Sequence, residues 1–503
     1  MTKLNADLPK DMQIQKRIIH LALPATVENV LETTVGFIDS LMVSKIGLFA
    51  VAGVGLANAI LNVYIAIFIA LGIGTSSLIS RSIGANNLEK AKQIAKQSLL
   101  LAIISGLFLG IVSLVAGSQL LTIMGATKET LDSSLQFFSI VGGGAIVIAT
   151  MSTLGSMLRA IGDTKTPMKI GIITNVLNVV VDYVLIFGVG AIPALGVMGT
   201  ALGTLIARSL GTILLYRKVQ HSVIAFPLFT RLNKSSFNEL LRISFPAALE
   251  RLVMRLGQVL YFGLIVAIGA KTYSAHTIAG SIESFVYMPA YGLATAAATL
   301  TGMSIGKKDY DETKRIAFLS VKYGVIILSL LGIGLFIGSP IVATLFTKDP
   351  EALRQIVVAL RIDAFNQPGL AISLILAGVL QGMGDTKTPL YSTAFGMWVI
   401  RIVGVIVLGN SLNLGIAGVW LAIGIDLYTR SAFLSYRFKR NIRRLTKKEA
   451  PTEDFLFHYE PVETYLLRPK RQNKRAGIPN GKHSNGANAH SGCSSQPMIN
   501  KKG

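Results

Sequence analysis

The sequence predicts an all-α integral membrane protein, with twelve transmembrane helices in two parallel-repeat six-helix lobes. Three observations predict this fold. Only 15% of the 503 residues are charged and the mean hydropathy is +0.57, whereas a soluble domain carries about 25% charged residues. Apolar segments long enough to cross a bilayer follow one another along the chain. In addition, the two halves of the chain repeat each other at a constant spacing.

A bilayer-crossing helix needs about 20 mostly apolar residues. Twelve segments meet this need, at about residues 17–43, 49–79, 94–117, 134–160, 168–190, 194–217, 238–267, 273–303, 315–339, 354–382, 390–410 and 414–436. Lys16 and Arg17 precede a long first span that contains Glu28, and no small-residue cleavage site follows a short apolar run. We therefore expect the first span to stay in the mature protein.

Lysine and arginine are distributed unequally between alternate loops. One set of loops contains Lys90, Lys165 and Lys307 among many others, and the opposite set contains few, such as Lys45 and Lys128. Loops rich in these residues lie in the cytoplasm, so we expect a multi-pass protein of the bacterial plasma (inner) membrane with both termini cytoplasmic. The formal charge of +22 then reflects topology and contact with membrane lipids. It does not indicate nucleic-acid binding, which needs a solvated basic face.

An internal repeat relates the two halves. Pro24 and Glu28 match Pro246 and Glu250, and LRAIGDTKTP ending at Pro167 matches LQGMGDTKTP in the second half at the same offset. Because each repeat contains six spans, both copies enter the membrane in the same direction. This is the plan of parallel-repeat transporters, whose substrate and ion sites lie near the middle of the membrane.

The repeated GDTKTP is interpreted as a turn followed by a helix start. We predict that Thr166 and Thr388 cap the following helices, with a proline at the first helical position. Gly162 and Gly384 suit the turn before them. The motif lacks the glycine spacing and the strand-to-helix context of a phosphate-binding loop. We expect no catalytic residues and no enzymatic activity.

Composition divides the chain into five regions. These are a cytoplasmic N-terminus at 1–16, an N-lobe at 17–217, a cytoplasmic linker at 218–237, a C-lobe at 238–439 and a disordered basic cytoplasmic tail at 440–503. The tail is rich in Pro, Asn, Gly, Ser and Lys, and such a composition buries too little apolar surface to fold. The only cysteine, Cys493, lies in this tail, so no internal disulfide is possible. We expect a monomer.

Carboxylates inside the spans are the candidate functional groups, because a charge at membrane depth is costly and is retained for a function. Asp39 lies in the first span, and Asn178 and Asp182 share one face of the fifth span. Their oxygens suit a hard cation such as Na⁺. Alternatively, two carboxyls that are close together in a low-dielectric medium share a proton. A purely structural role in hydrogen bonding between helices is the remaining alternative.

Further charged residues are candidates for a cavity lining or a proton path. Glu28 and Glu250 occupy equivalent positions in the two repeats, and a duplicated packing role is the alternative. Arg251 and Arg255 lie four residues apart on the seventh span, where they can neutralise Glu250, Glu283 of the eighth span or a carboxylate of the tenth. Arg255 and Glu283 are therefore included among the candidates.

Together these features resemble the multidrug and toxic compound extrusion (MATE) family. The resemblance is carried by two six-span halves, the repeated GDTKTP, and three segments, VGFIDSLMVSKIG at 35–47, HTIAGSIESFVYMPAYGLATAAATLTG at 276–302 and NVVVDY at 178–183. The seventh span offers Met254 where one branch of the family has a glutamate, so the chain is similar to the DinF-like bacterial branch. The resemblance implies a V-shaped pair of six-helix bundles.

The resemblance also implies a function. A member of this family exports small organic, mostly cationic drugs or toxins by alternating access, in exchange for H⁺ or Na⁺, with no other cofactor. The family's first-lobe cation site corresponds here to Asp39, Asn178, Asp182 and Thr200. A lipid-linked glycan or lipid flippase of the same superfamily is the alternative. Such a flippase needs a strongly cationic cavity, for which Arg401 is one candidate.

Overall fold

The structure is a computed structural model that describes residues 9–190, 192–227 and 233–446. Apart from short loops and one isolated bridge between Val189 and Ile192, these residues are helical. Twelve helical segments follow in order: α1 (Lys10–Ser44), α2 (Leu48–Gly84), α3 (Leu88–Ile123), α4 (Lys128–Gly143 and Ala145–Ala160), α5 (Lys165–Phe187), α6 (Val197–Gln220), α7 (Lys234–Ile268), α8 (Ala270–Val286 and Met288–Gly306), α9 (Tyr310–Thr344), α10 (Pro350–Gly382), α11 (Lys387–Ser411) and α12 (Gly415–Thr446). The all-α prediction is confirmed.

Eight of these segments are individually long and apolar enough to cross a membrane. The two helices of α4, which are bent by 48° relative to each other, are long and apolar enough when they are taken together. The break in α4 falls at Gly144, and α8 breaks at Tyr287. α1 and α12 carry charged residues within their apolar stretches. The chain is a multi-pass membrane protein.

Asparagine and aspartate side chains begin several of the helices on the side of the membrane where α1 starts and α12 ends, which we call the terminal face. Asn87 accepts a hydrogen bond from the Lys90 amide at 3.0 Å, and Asp309 accepts one from the Glu312 amide at 2.8 Å. These caps satisfy amides that lack a partner in the first turn of a helix. Asn87 and Asp309 occupy equivalent positions of the two repeats, so the repeat extends to the caps.

The GDTKTP turns differ from the prediction in which residue caps the helix. α5 begins at Lys165, so Pro167 is its third residue, and the Thr166 amide donates to Asp163 at 3.0 Å. In the second copy the Thr388 amide donates to Asp385 at 3.0 Å. The prediction that Thr166 and Thr388 cap these helices is wrong, because each helix starts earlier and the aspartate reaches the first-turn amide. The two preceding glycines have φ of +89° and +84°, where glycine is favoured.

The two lobes pack closely where α2 and α8 cross at the terminal face. Gly84 of α2 lies against the backbone carbonyl of Met303, and Gly306 of α8 lies against the carbonyl of Arg81. The two contacts are reciprocal, since Gly84 and Gly306 occupy equivalent positions of the two repeats, as do Arg81 and Met303. A side chain at either glycine would collide with backbone, so these glycines permit the close crossing.

The terminal-face ends of α1 and α7 pack into the opposite lobe. Ile18 of α1 lies in an apolar cluster with Leu293 of α8, and Leu240 of α7 lies in one with Leu78 of α2. Ion pairs join the same regions: Arg17 to Glu312, and Lys90 to Glu239 at 3.1 Å. Burial of apolar surface and these ion pairs together close the terminal face.

The ends of the lobes differ slightly from the predicted boundaries. α6 continues to Gln220 and α7 begins at Lys234. α12 continues through Thr446, so the predicted disorder of residues 440–446 is wrong. The helix continues because Ile442 is only 3% exposed and the side-chain amide of Asn441 donates a hydrogen bond to the Asp385 carboxylate at 3.1 Å. The remainder of the predicted tail, with Cys493, lies outside the described residues.

Candidate functional site

The first-lobe candidates come together at α1, α5 and α6. Asn178 and Asp182 lie one turn apart on α5 and are 7% and 0% exposed, and Thr200 on α6 is 2% exposed. Asp39 of α1 is half-buried, and its charge interacts with that of Asp182. The structure therefore places the four residues that the sequence singled out on three neighbouring helices, with Asp39 within electrostatic reach of Asp182.

Several polar atoms of these four side chains are buried without a well-formed hydrogen bond, although Asn178 lies close enough to act on the Asp182 carboxylate. Oδ1 of Asp39, Nδ2 of Asn178, both carboxylate oxygens of Asp182 and Oγ1 of Thr200 make no hydrogen bond of ordinary geometry with the described residues. Buried polar groups nearly always have partners, and each exception calls for an explanation. This arrangement can accept a small cation or a proton.

A glycine leaves room for the Asp182 carboxylate. Gly203 of α6 packs directly against Oδ1 of Asp182, and any β-carbon at this position would collide with that oxygen. Gly203 was not predicted as part of the site. Its signal in the sequence is only a small residue one turn after Thr200, which is common in helices that pack closely.

The donor set is limited to hard oxygens. Within the described part of the chain no group of three His, Cys, Asp or Glu is placed to hold a metal ion. Two carboxylates, an amide and a hydroxyl suit Na⁺. The same pair of carboxyls also suits a proton.

Two arginines that the sequence analysis did not select face the first-lobe carboxylates. Arg208 of α6 lies 3.6 Å from Glu32, and its charge also acts on Asp39. Arg159 of α4 donates to Glu28 at 3.0 Å. Glu28 is thus an ion-pair partner whose charge is balanced, about three turns from Asp39 along α1.

The second-lobe counterpart of Glu28 has neutral partners. Glu250 is 8% exposed and accepts hydrogen bonds from Gln381 and Thr393, each at 3.3 Å. Arg251 and Arg430 lie within electrostatic reach of its carboxylate. Of the two arginines proposed to neutralise it, Arg251 is therefore nearby, whereas Arg255 is exposed and donates to Gln258 at 3.0 Å.

A buried charge cluster occupies the second lobe between α11 and α12. Asp426 is fully buried and lies 2.8 Å from Arg401 and 2.6 Å from Arg430. Glu283 is half-buried within electrostatic reach of Arg401. Sequence reasoning selected Glu283 and Arg401 but missed Asp426, which links the two arginines.

A second buried carboxylate in this lobe lies on α10. Asp363 is fully buried, and its Oδ2 accepts a hydrogen bond from Gln367 at 2.8 Å. Its Oδ1 has no partner among the described residues. The charges of Glu283 and Asp363 interact with each other. The predicted pairing of either carboxylate with Arg251 or Arg255 is not seen within the described ranges, since Asp363 bonds Gln367 of α10 and Glu283 faces Arg401 of α11.

Comparison with known proteins identifies the family to which this architecture belongs. The sequence model of the MatE family matches residues 24–184 and 246–407, one match in each repeat. A probable multidrug resistance protein NorM of Thermotoga maritima is 29% identical over 86% of this chain and 95% of its own length. An uncharacterized transporter YisQ of Bacillus subtilis is 28% identical over 84% of this chain and 94% of its own length.

Solved structures give the same answer. A crystal structure of a MATE in complex with MaL6 superposes with a TM-score of 0.82 at 25% identity, covering 88% of this chain and all of that one. A multidrug resistance MATE family transporter of the MOP superfamily, in its outward-facing conformation, gives a TM-score of 0.80 at 25% identity, covering 87% of this chain and 99% of that one. With both repeats matched by the family model, the chain belongs to the MatE family, the multidrug and toxic compound extrusion family.

Proposed function

We propose that the chain is a secondary active antiporter that exports small organic, mostly cationic compounds in exchange for H⁺ or Na⁺. The observation that carries this proposal is the set of buried oxygens on Asp39, Asp182 and Thr200 that make no hydrogen bond of ordinary geometry with the described residues, beside the amide of Asn178. A bound cation or proton satisfies these oxygens. A ligand shifts a conformational equilibrium only through its different affinity for the two states, and a site shared by three helices changes when those helices move.

Alternating access is supported by the position of the contacts between the two lobes. The ion pairs of Arg17 with Glu312 and of Lys90 with Glu239, and the glycine crossing of α2 and α8, lie at the terminal face. These contacts hold the lobes together on that side of the membrane. With the Lys-rich and Arg-rich loops in the cytoplasm, both termini and the terminal face are cytoplasmic, and closure of this face corresponds to an outward-facing state of an inner-membrane protein.

The region between the lobes suits flat organic cations. The rings of Tyr287 and Tyr291 of α8 lie tilted against each other, with an interplanar angle of 57° and ring centroids 5.4 Å apart. Met288 beside them lies 4.0 Å from Thr33 of α1, across the lobe boundary. Aromatic faces attract cations, and methionine adapts to ligands of different shape. The names of the NorM relatives point to multidrug substrates as well.

The flippase alternative is less well supported. It requires cationic groups that are free to bind a phosphorylated lipid, but Arg401 is 9% exposed and ion-paired with Asp426. Arg255 is exposed and donates to Gln258, and its neighbour Arg251 lies within electrostatic reach of Glu250. We therefore favour export of small molecules over lipid flipping. We also propose that the protein acts as a monomer and needs no cofactor beyond the coupling ion.

Efflux of ethidium from cells tests the proposal. Wild-type protein is expected to lower the accumulation of ethidium, whereas Asp39→Asn and Asp182→Asn each reduce efflux at least about tenfold, which corresponds to about 1.4 kcal/mol. Membrane expression of both variants is measured in parallel. Full efflux by both variants at normal expression would contradict the proposed role of this site.

A further inference from the structure

The helix that corresponds to α5 in the second lobe has a different local geometry. α5 is α-helical throughout, whereas α11 contains two π-helical stretches, Gly396–Arg401 and Val405–Ser411. A π-helical turn holds an extra residue compared with an α-helical turn. The counterpart of a residue in α5 is therefore displaced along the α11 sequence.

Two observations measure this displacement as one residue. The two matches to the family model begin at positions 24 and 246 and end at positions 184 and 407, so the offset between the repeats grows by one from start to end. A close helix contact agrees: Gly199 of α6 packs against the carbonyl of Leu185, and Gly418 of α12 packs against the carbonyl of Leu408. Leu185 and Leu408 are related by the larger of the two offsets.

The first π-helical stretch ends at Arg401, and we apply the larger offset from this residue onward. The counterpart of Asn178 is then Arg401 and that of Asp182 is Val405. The smaller offset still relates α1 to α7, so the counterpart of Asp39 is Tyr261. The second lobe thus carries a guanidinium and a valine where the first lobe carries an amide and a carboxylate. Val405 is completely buried.

Contacts show that these counterparts also meet in space. The Arg401 guanidinium carbon lies 5.6 Å from the centre of the Tyr261 ring, within the range of a cation–π interaction. Arg401 also lies 2.8 Å from Asp426, and the other oxygen of Asp426 lies 2.6 Å from Arg430. Both carboxylate oxygens of Asp426 therefore already have cationic partners, and neither is free to bind an ion.

We propose that Arg401 is a built-in cation of the second lobe. Its guanidinium supplies permanently the positive charge that the first lobe gains only when the coupling ion binds. This inference rests on the proposed function, since it assumes that the first-lobe site binds that ion. The two lobes then differ in a defined way. Binding and release of the ion change the charge of the first lobe only, and the region around Tyr261 and Arg401 binds no ion of its own.

Chemical rescue tests this assignment. Removal of the side chain in Arg401→Ala leaves Asp426 beside a gap that methylguanidinium fits. We expect purified Arg401→Ala to unfold at a lower temperature than wild type, and methylguanidinium to restore more than half of that loss. Tetramethylammonium at the same concentration controls for ionic strength. Equal responses to the two cations would overturn the proposal.

A matched control lies in the same lobe. Arg361 of α10 is exposed and sits 5.3 Å from the ring centre of Phe336. Arg361→Ala leaves no enclosed position for a guanidinium, so its unfolding temperature should not respond selectively to methylguanidinium. A selective response of Arg361→Ala would show a general solvent effect and would also overturn the assignment.

Two longer substitutions keep the test decisive if Arg401→Ala does not fold. Arg401→Lys retains the charge, and Arg401→Met retains most of the length without it. We expect the lysine variant to fold and to keep efflux and the methionine variant to lose both; equal behaviour would overturn the proposal. Because rescue is measured as stability, selective rescue in a protein without antiport would refute the proposed function and leave the built-in charge standing.

Discussion

Glu28 of α1 accepts a hydrogen bond from Arg159 of α4 at 3.0 Å, and the same two positions of the second lobe hold Glu250 and Gln381, 3.3 Å apart. Both pairs span 131 residues of sequence. The contact was thus kept after duplication while its charge changed. In the first lobe an arginine balances the glutamate, whereas in the second lobe neutral donors hold it, and Arg251 and Arg430 act on it without a hydrogen bond to its carboxylate.

The first prediction concerns this pair. Arg159→Gln should lower the free energy of unfolding by about 1–3 kcal/mol, because it leaves a largely shielded carboxylate without its cation. Adding Glu28→Gln should recover part of the loss. Thermal unfolding of the purified single and double variants measures the coupling. Strictly additive losses would show that the two side chains do not act as a pair.

The second prediction concerns Gly203. Because a β-carbon there collides with Oδ1 of Asp182, Gly203→Ala should displace that carboxylate at a cost of about 1–3 kcal/mol and reduce ethidium efflux about tenfold or more. Gly55→Ala is the matched control, since an added β-carbon at Gly55 of α2 meets no atom within 4 Å. Efflux by Gly203→Ala at the level of Gly55→Ala would disprove this packing argument.

The third prediction concerns closure of the terminal face. Gly84→Ala or Gly306→Ala forces α2 and α8 apart, because each added β-carbon meets a backbone carbonyl of the other helix. In a Cys493→Ser background, the reporter Ser80→Cys lies fully buried at this crossing. Its alkylation by N-ethylmaleimide should become about tenfold faster in either glycine variant, as expected for a cost of at least about 1.4 kcal/mol.

Gly338 of α9 provides the control for that experiment, since an added β-carbon there meets no atom within 4 Å. Gly338→Ala should leave the alkylation rate of Ser80→Cys unchanged. If the rate stays the same in Gly84→Ala and Gly306→Ala as well, the glycine contacts do not control the closure of the lobes.

The fourth prediction compares the two GDTKTP turns. Asp163 accepts one hydrogen bond from the Thr166 amide, so Asp163→Ala should cost about 1 kcal/mol, as for the loss of a helix cap. Asp385 also accepts from the Thr388 hydroxyl at 2.6 Å and from Asn441 at 3.1 Å. Asp385→Ala should therefore destabilise more, since it leaves several donors without a partner. Equal losses in thermal unfolding would count against this difference.

The fold could be predicted from the sequence because each span is a long apolar run and the two halves share matching residues at a constant offset. The spans around Leu158 and Leu380 could be located by their shared motif without any structure. The cap at Asp163 was not, because the choice between Asp163 and Thr166 depends on exactly where α5 begins, and both residue types are good helix caps.

The partners of the charged residues were the least predictable feature. Asp39 and Asp182 stand out because they are rare charges in apolar segments. The ion pairs of Glu28 with Arg159 and of Glu32 with Arg208 join residues far apart in the chain, and no periodicity relates them. The extra residue in α11 could not be predicted either, since a π-helical turn leaves the hydropathy of the span unchanged.

If the first-lobe carboxylates couple ion movement to export, transport depends on an imposed ion gradient. The most direct measurement uses purified protein in liposomes, with ethidium transport recorded under an imposed Na⁺ gradient at equal pH and, separately, under a pH gradient without Na⁺. We expect one of these gradients to drive transport and Asp182→Asn to abolish the response. Asp132→Asn, at an exposed residue that accepts a hydrogen bond from Gln136 at 2.9 Å, should preserve it. Gradient-driven transport by Asp182→Asn at the wild-type rate would contradict coupling through these carboxylates.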